Sequence, residues 1–164
     1  MKILRAILFG GLAAGAWDIS YAIATYYFAY DIPPIRVFQA VAGGWLGREA
    51  ARAGGMDSAI LGAVTHFSFT TLMATAYVIV SLFMTDLRRH PIFWGMLYGS
   101  GLYFLMNFVV VPNSALGWPK QMPPLWIWYS GLFVHQFGVG CSIALIARWS
   151  MGAPETEQPA SRVR

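Results

Sequence analysis

The sequence predicts an all-α, polytopic integral membrane protein: a four-helix bundle with an additional interfacial or re-entrant helix between the first and second crossings. Hydrophobic residues make up 57% of the chain and charged residues only 11%, and the mean hydropathy is +0.54. Such a chain is too apolar for an ordinary soluble domain. Its apolar residues fall in four segments of roughly 20 residues or more, the length that crosses a hydrocarbon core of about 30 Å. We therefore expect one membrane domain over residues 1–150.

The first crossing is predicted over residues 3–30. Gly11, Gly15 and Asp18 recur at intervals of three and four, so on a helix they form one stripe of small residues that includes a carboxylate. Lys2 and Arg5, followed by an apolar run and by Ala14-Gly15-Ala16, resemble a signal peptide with a cleavage site. Cleavage there would leave a remnant of the helix too short to span a membrane. We expect an uncleaved helix whose stripe packs against the other crossings.

A connecting helix is predicted over residues 34–53, because Pro34 can start a helix and the Gly54-Gly55 pair can stop one. Its charged side chains crowd into the second half instead of forming one face. This lengthwise polarity leaves two interpretations open, an interfacial helix and a tilted or re-entrant one.

The other three crossings are predicted over residues 58–83, 91–111 and 126–148, and residues 151–164 form a polar tail that we expect to be disordered. Glycines in these crossings would let helices approach closely; they are Gly62, Gly95, Gly99, Gly131 and Gly138. The spacing of Gly95 and Gly99 also suggests an exposed surface for self-association.

The distribution of charge predicts the orientation of the bundle. Seven Lys and Arg residues fall on the side of the two termini and four on the other side, which favours both termini in the cytoplasm. The four are Arg36, Arg48, Arg52 and Lys120. No basic patch with interleaved aromatic residues is present, so nucleic acid is not an expected partner. Cys141 is the only cysteine, which excludes an intrachain disulfide and a cysteine-based zinc site.

Each crossing carries one strongly polar side chain that lipid would not solvate: Asp18, His66, Asn107 and His135 in chain order. At a rise of 1.5 Å per residue, they lie about 8 to 14 Å below the same end of their helices. Because consecutive crossings alternate in direction, we expect all four in one layer of the outer half, facing the interior of the bundle.

Several chemistries fit such a cluster. A carboxylate beside two imidazoles can exchange protons near neutral pH. Asp18, His66 and His135 are also a possible set of metal ligands, and the two histidines a possible pair of haem ligands. A purely structural role is the remaining alternative, since buried polar groups hydrogen-bond between membrane helices. No nucleophile or nucleotide-binding motif indicates an enzyme, and we expect no cofactor.

Several short motifs resemble a family of small, uncharacterised bacterial inner-membrane proteins. The motifs are Gly10-Gly11-x-x-Ala14-Gly15-x-x-Asp18, Gly43-Gly44-x-x-Gly47, Gly54-Gly55, Gly62-x-x-x-His66-Phe67, Tyr98-Gly99 and Met106-Asn107-Phe108-Val109-Val110-x-Pro112. The resemblance covers residues 6–148 and departs from the family where Asn113 stands in place of leucine. It implies a four-helix protein of a bacterial inner membrane and brings no activity with it.

These observations predict a non-enzymatic protein whose principal partner is the lipid bilayer. The polar cluster would face the outer side and handle protons or a small solute. Because four crossings enclose little volume, transport would call for a homo-oligomer.

Overall fold

The computed structural model of the chain describes residues 1–119 and 122–153, and this part of the chain is all-helical. The helices are α1 Lys2–Tyr30, α2 Pro34–Leu46, α3 Arg48–Ala53, α4 Gly55–Phe83, α5 Asp86–Arg89, α6 Pro91–Leu105, α7 Leu125–Val134 and α8 Cys141–Met151. Two π-helical segments, π1 (Met106–Val110) and π2 (His135–Gly140), extend α6 and join α7 to α8. The predicted tail lies outside the described residues from residue 154 onwards.

Four continuous helical rods are long and apolar enough to cross a membrane: Lys2–Tyr30, Gly55–Phe83, Pro91–Val110 and Leu125–Met151. Their ends differ from the predicted ones by at most three residues. The all-α prediction with four candidate crossings is therefore confirmed. The short helix α5, between the second and third rods, was not predicted.

The rods pack in a definite order, in which α1 contacts both α4 and α8, and α6 packs on π2 and α8. The guanidinium of Arg5 lies 3.8 Å from the centroid of the Trp149 ring, so the first and last helices begin and end side by side. Arg148 also donates to the carbonyl of Arg89 at 3.1 Å. Both described ends of the chain thus lie at one end of the bundle, here called the terminal end.

The segment predicted as a connecting helix over residues 34–53 is helical on both sides of a break at Gly47, so it forms a helical hairpin. Gly47 separates α2 from α3 with a φ of 78°, a conformation that glycine adopts without steric cost. Helix α2 packs along α4, where the backbone of Phe38 occupies the space that a Cβ on Gly62 would need. Gly44 accepts a hydrogen bond from the amide of Ala115 at 3.0 Å. The hairpin therefore covers the end of the bundle opposite the termini, called the hairpin end.

Glycines sit where the long helices make their closest contacts. A Cβ on Gly11 would lie 2.6 Å from the Cα of Thr71, and one on Gly15 would lie 2.8 Å from the ring of Phe67, so the stripe on α1 faces α4. Gly131 packs on the Tyr103 ring and Gly138 on the Cβ of Trp17. These contacts let backbones approach closely, which dispersion forces reward when lipid is the solvent.

The prediction that Gly95 and Gly99 form an exposed surface for self-association is wrong. Both glycines are buried. A Cβ on Gly95 would lie 2.8 Å from the Cα of Cys141, and a Cβ on Gly99 would overlap the carbonyl of His135. Both glycines pack against the fourth rod of the same chain. They therefore offer nothing to a second copy.

Candidate functional site

The four predicted polar residues line one cavity of about 160 Å³ between the long helices. Asp18 comes from α1, His66 from α4, Asn107 from π1 and His135 from π2. The rest of the wall is Phe69, Thr70, Met73, Met106 and Val139. The structure therefore places all four side chains in one layer, as the depth arithmetic from the sequence predicts.

Asp18 stands between the two imidazole rings. Its Oδ2 lies 4.0 Å from Nδ1 of His66, and its Oδ1 lies 3.7 Å from Nδ1 of His135. The side chain of Asp18 is 28% exposed, whereas those of His66 and His135 are 9% and 15% exposed. Both distances are longer than a hydrogen bond, so a side-chain movement of about 1 Å decides which histidine the carboxylate contacts.

A backbone carbonyl fixes one proton on His66. Its Nε2 lies 3.0 Å from the carbonyl oxygen of Gly15, and a carbonyl can only accept, so Nε2 carries hydrogen. The absence of a side chain at Gly15 brings α1 close enough to α4 for this contact. Nδ1 is consequently the nitrogen that faces Asp18.

His135 and Asn107 each bond to their own helix in the same way. Nδ1 of His135 donates to the carbonyl of Gly131 at 3.0 Å, and the amide nitrogen of Asn107 donates to the carbonyl of Tyr103 at 2.9 Å. Each acceptor lies four residues earlier in the chain, a common pattern for polar side chains in helices. Asn107 thus lines the cavity without a direct bond to Asp18, and its Oδ1 is left for a ligand or water.

Both π-helical segments begin at this layer, since His135 is the first residue of π2 and Asn107 the second of π1. A π-helical turn holds an extra residue, and such turns are frequent at functional sites. Sequence reasoning did not find them because an apolar helix keeps the same composition through a π-turn. The weak signal available was the cluster of glycines at Gly138 and Gly140.

Tyr103 is a further residue of this site that the sequence analysis missed. Its ring centre lies 5.1 Å from that of His135, and its hydroxyl donates to the carbonyl of Trp128 at 3.0 Å. The ring packs edge-on against the imidazole of His135. The spacing of four residues between Tyr103 and Asn107 on one helix was the signal that could have found it.

The geometry gives little support to the metal and haem alternatives. Across residues 1–119 and 122–153, no three His, Cys, Asp or Glu side chains are arranged to hold a metal ion. The cavity of about 160 Å³ is also smaller than the roughly 300 to 1,000 Å³ of small-molecule and cofactor sites.

The assignment of tautomer gives a direct prediction. In protein reconstituted in lipid nanodiscs at neutral pH, we expect ¹⁵N NMR to show hydrogen on Nε2 of His66 and on Nδ1 of His135. The chain has only three histidines, so a His90→Gln variant leaves the signals of His66 and His135, and a His66→Gln variant tells these two apart. Hydrogen on Nδ1 alone in His66 would contradict the contact with Gly15.

The site therefore consists of one carboxylate and two imidazoles whose orientations are set by backbone carbonyls, with an amide and an aromatic ring beside them. Each of these groups comes from a long apolar helix, and together they surround a cavity with room for a few water molecules. In comparisons of the chain with protein-family models, curated proteins and solved structures, no match was found.

Proposed function

We propose that this chain is a multi-pass protein of a bacterial inner membrane, with both termini in the cytoplasm, that binds and releases protons at the Asp18, His66 and His135 cluster. The cluster lies toward the outer face and serves the movement of protons across that membrane. The single observation that carries the proposal is the carboxylate placed between two Nδ1 atoms, 3.7 and 4.0 Å away, inside an apolar bundle.

The outer surface of the bundle supports the membrane assignment. Large apolar side chains point outwards along every long helix; among them Trp17, Leu72, Phe93 and Phe133 are each about 60% exposed. Soluble proteins rarely expose contiguous apolar surface of this kind. Lipid, by contrast, solvates it without cost.

The hydrogen-bond pattern around His66 supports a variable proton count. With Nε2 protonated, a neutral His66 presents a lone pair at Nδ1 to Asp18. An ionised Asp18 is also only an acceptor, so that combination leaves two acceptors facing each other. One more proton, on either the carboxylate or the imidazole, converts this repulsion into a hydrogen bond or an ion pair. A shared proton therefore joins the two side chains, and its release separates them.

The size of the cavity favours protons over a larger solute. A water molecule occupies about 30 Å³ in the liquid, so a cavity of about 160 Å³ has room for only a few. Tyr103 also lies beside His135, but its hydroxyl donates a hydrogen bond to the backbone carbonyl of Trp128. Since one bundle encloses so little space, a homo-oligomer supplies the remainder of the path.

A proteoliposome assay tests this function. The purified protein is reconstituted with a pH-sensitive dye inside, a pH gradient is imposed, and the wild type is expected to dissipate it faster than protein-free liposomes do. His66→Gln keeps a donor for the carbonyl of Gly15 but cannot titrate, so we expect a rate at least roughly tenfold lower.

His90→Gln is the matched control, because His90 also lies near a carboxylate, at 3.7 Å from Asp86, but on the exposed surface. We expect its rate to equal that of the wild type. A wild-type rate no higher than that of empty liposomes, at either sign of the gradient, would remove the proposal.

A further inference from the structure

Three arginines line a second cavity, at the hairpin end of the molecule. Arg36 extends from α2, and Arg48 and Arg52 extend from α3; together they border a cavity of about 260 Å³. They are three of the four basic residues that the sequence assigns to the side opposite the termini, where the charge rule for membrane proteins disfavours them. Because the chain turns at Gly47, all three arginines border the same cavity. The charge rule for orientation in the membrane does not explain this arrangement.

A buried glutamine holds this arrangement in place. Gln39 is only 3% exposed, its Oε1 accepts a hydrogen bond from Nη1 of Arg36 at 2.8 Å, and its Nε2 donates to the carbonyl of Gly55 at 2.7 Å. Nη1 of Arg36 also donates to the carbonyl of Arg52 at 3.3 Å. The guanidinium of Arg36 is therefore tied both to the start of α4 and to α3, so its position is fixed before any ligand arrives.

The three positive charges have no acidic partner in the part of the chain that the structure describes. No carboxylate among those residues forms an ion pair within 4.0 Å of Arg36, Arg48 or Arg52. Like charges around one cavity repel one another, and a bound anion would turn that repulsion into attraction. Guanidinium groups present flat forks of N–H donors that match the oxygens of a phosphate group.

We propose that this cavity binds a phosphate group attached to an apolar or organic moiety. The arginines hold the phosphate oxygens, and the apolar side of the wall, Ile32, Val37 and Leu116, accommodates what is attached to it. Two sources share this chemistry: the headgroup of an anionic membrane lipid and a soluble phosphoester. The site is separate from the proton-binding cluster, and its existence does not depend on the function proposed for that cluster.

The double variant Arg48→Gln/Arg52→Gln tests the site. Neither side chain makes a hydrogen bond within the described structure, so their loss is not expected to disturb the hairpin. In one arm, the protein in uncharged detergent is titrated with inorganic phosphate and followed by ³¹P NMR. In the other, native mass spectrometry counts phosphatidylglycerol retained from nanodiscs that also contain phosphatidylcholine.

We expect the wild type to bind in at least one arm and the double variant to bind at least about tenfold more weakly, because each charge-assisted hydrogen bond contributes strongly to affinity. Retention of phosphatidylglycerol, with or without phosphate binding, identifies a lipid headgroup, and phosphate binding without that retention identifies a soluble ligand. Arg48→Lys/Arg52→Lys keeps the charge but loses the forked donors, so intermediate binding is expected.

Lys2→Gln/Arg148→Gln removes two exposed cations at the terminal end and is the control for net charge. We expect it to bind as the wild type does. Absence of binding in both arms, or equal binding by the wild type and the Arg48→Gln/Arg52→Gln variant, overturns the proposal. Circular dichroism spectra of the variants and the wild type are compared to check that binding is measured on folded proteins.

Discussion

Replacing Gly99 by alanine is expected to unfold the contact between α6 and π2. The added Cβ would overlap the carbonyl carbon and oxygen of His135, and neither helix has a flexible side chain there that could move aside. Overpacking of this kind typically lowers the free energy of unfolding by about 1 to 3 kcal/mol. We expect a value near the upper end, because the atoms that the Cβ would meet belong to the backbone. We expect the unfolding midpoint in a denaturing-detergent titration to fall accordingly.

Gly101→Ala is the matched control on the same helix. Apart from its own stretch of helix, no atom of the described residues lies within 4 Å of a Cβ built on Gly101. Alanine also has a higher helix propensity than glycine by about 1 kcal/mol. This variant should therefore be as stable as the wild type or slightly more so. If Gly99→Ala and Gly101→Ala unfolded at the same point, the close approach of the two backbones would be wrong.

The same contact determines the geometry of the polar site. Because the backbone of His135 rests on Gly99, any separation of α6 from π2 also moves the imidazole relative to Asp18. Tyr103, on the same helix as Gly99, packs against the ring of His135. The packing of α6 is thus a positioning element for the site, and the loss of stability in Gly99→Ala should be accompanied by a change in the His135 ¹⁵N signal.

The length and depth of the helices could be predicted from the sequence because both follow from residue counts. Apolar segments of sufficient length mark the four rods, and a rise of 1.5 Å per residue places Asp18, His66, Asn107 and His135 in one layer. Small neighbours on the same helix faces indicated that these side chains point inwards. The contacts between the helices did not have to be known for this prediction. Consecutive crossings alternate in direction, and this places the four side chains at the same depth.

The rotation of a helix about its axis could be predicted only where a polar side chain marked the inner face. In a membrane protein both the lipid-facing and the interior surface are apolar, so hydrophobic periodicity does not distinguish them. Gly95 and Gly99 were therefore assigned to an exposed surface, although they face the fourth rod. The break at Gly47 and the two π-helical segments depend on backbone angles and close contacts that a composition pattern does not encode.

Replacing Asp18 by asparagine is expected to abolish proton movement while leaving the fold at least as stable. An ionised side chain near the middle of a membrane costs about 3 kcal/mol even on the more lenient insertion scales. Asparagine has nearly the same shape without that cost, and its amide can donate to the lone pair on Nδ1 of His66. It cannot, however, take up or release a proton.

Asp86→Asn is the control, because Asp86 lies 3.7 Å from His90, the same distance that separates Asp18 from His135, but with half of its side chain exposed. We expect this variant to match the wild type both in proteoliposome flux and in the unfolding midpoint.

The two readouts together separate a functional carboxylate from a structural one. If Asp18 serves proton exchange, Asp18→Asn loses flux and keeps or gains stability. The reason is that the carboxylate lowers the free energy of unfolding of the bundle, and asparagine removes this cost. If Asp18 only joins helices through its contacts with His66 and His135, the same variant loses stability, and its flux per folded molecule stays at the wild-type value. An unfolding midpoint lowered by the equivalent of about 1 kcal/mol or more, with unchanged flux, would therefore assign the cluster to the architecture of the bundle.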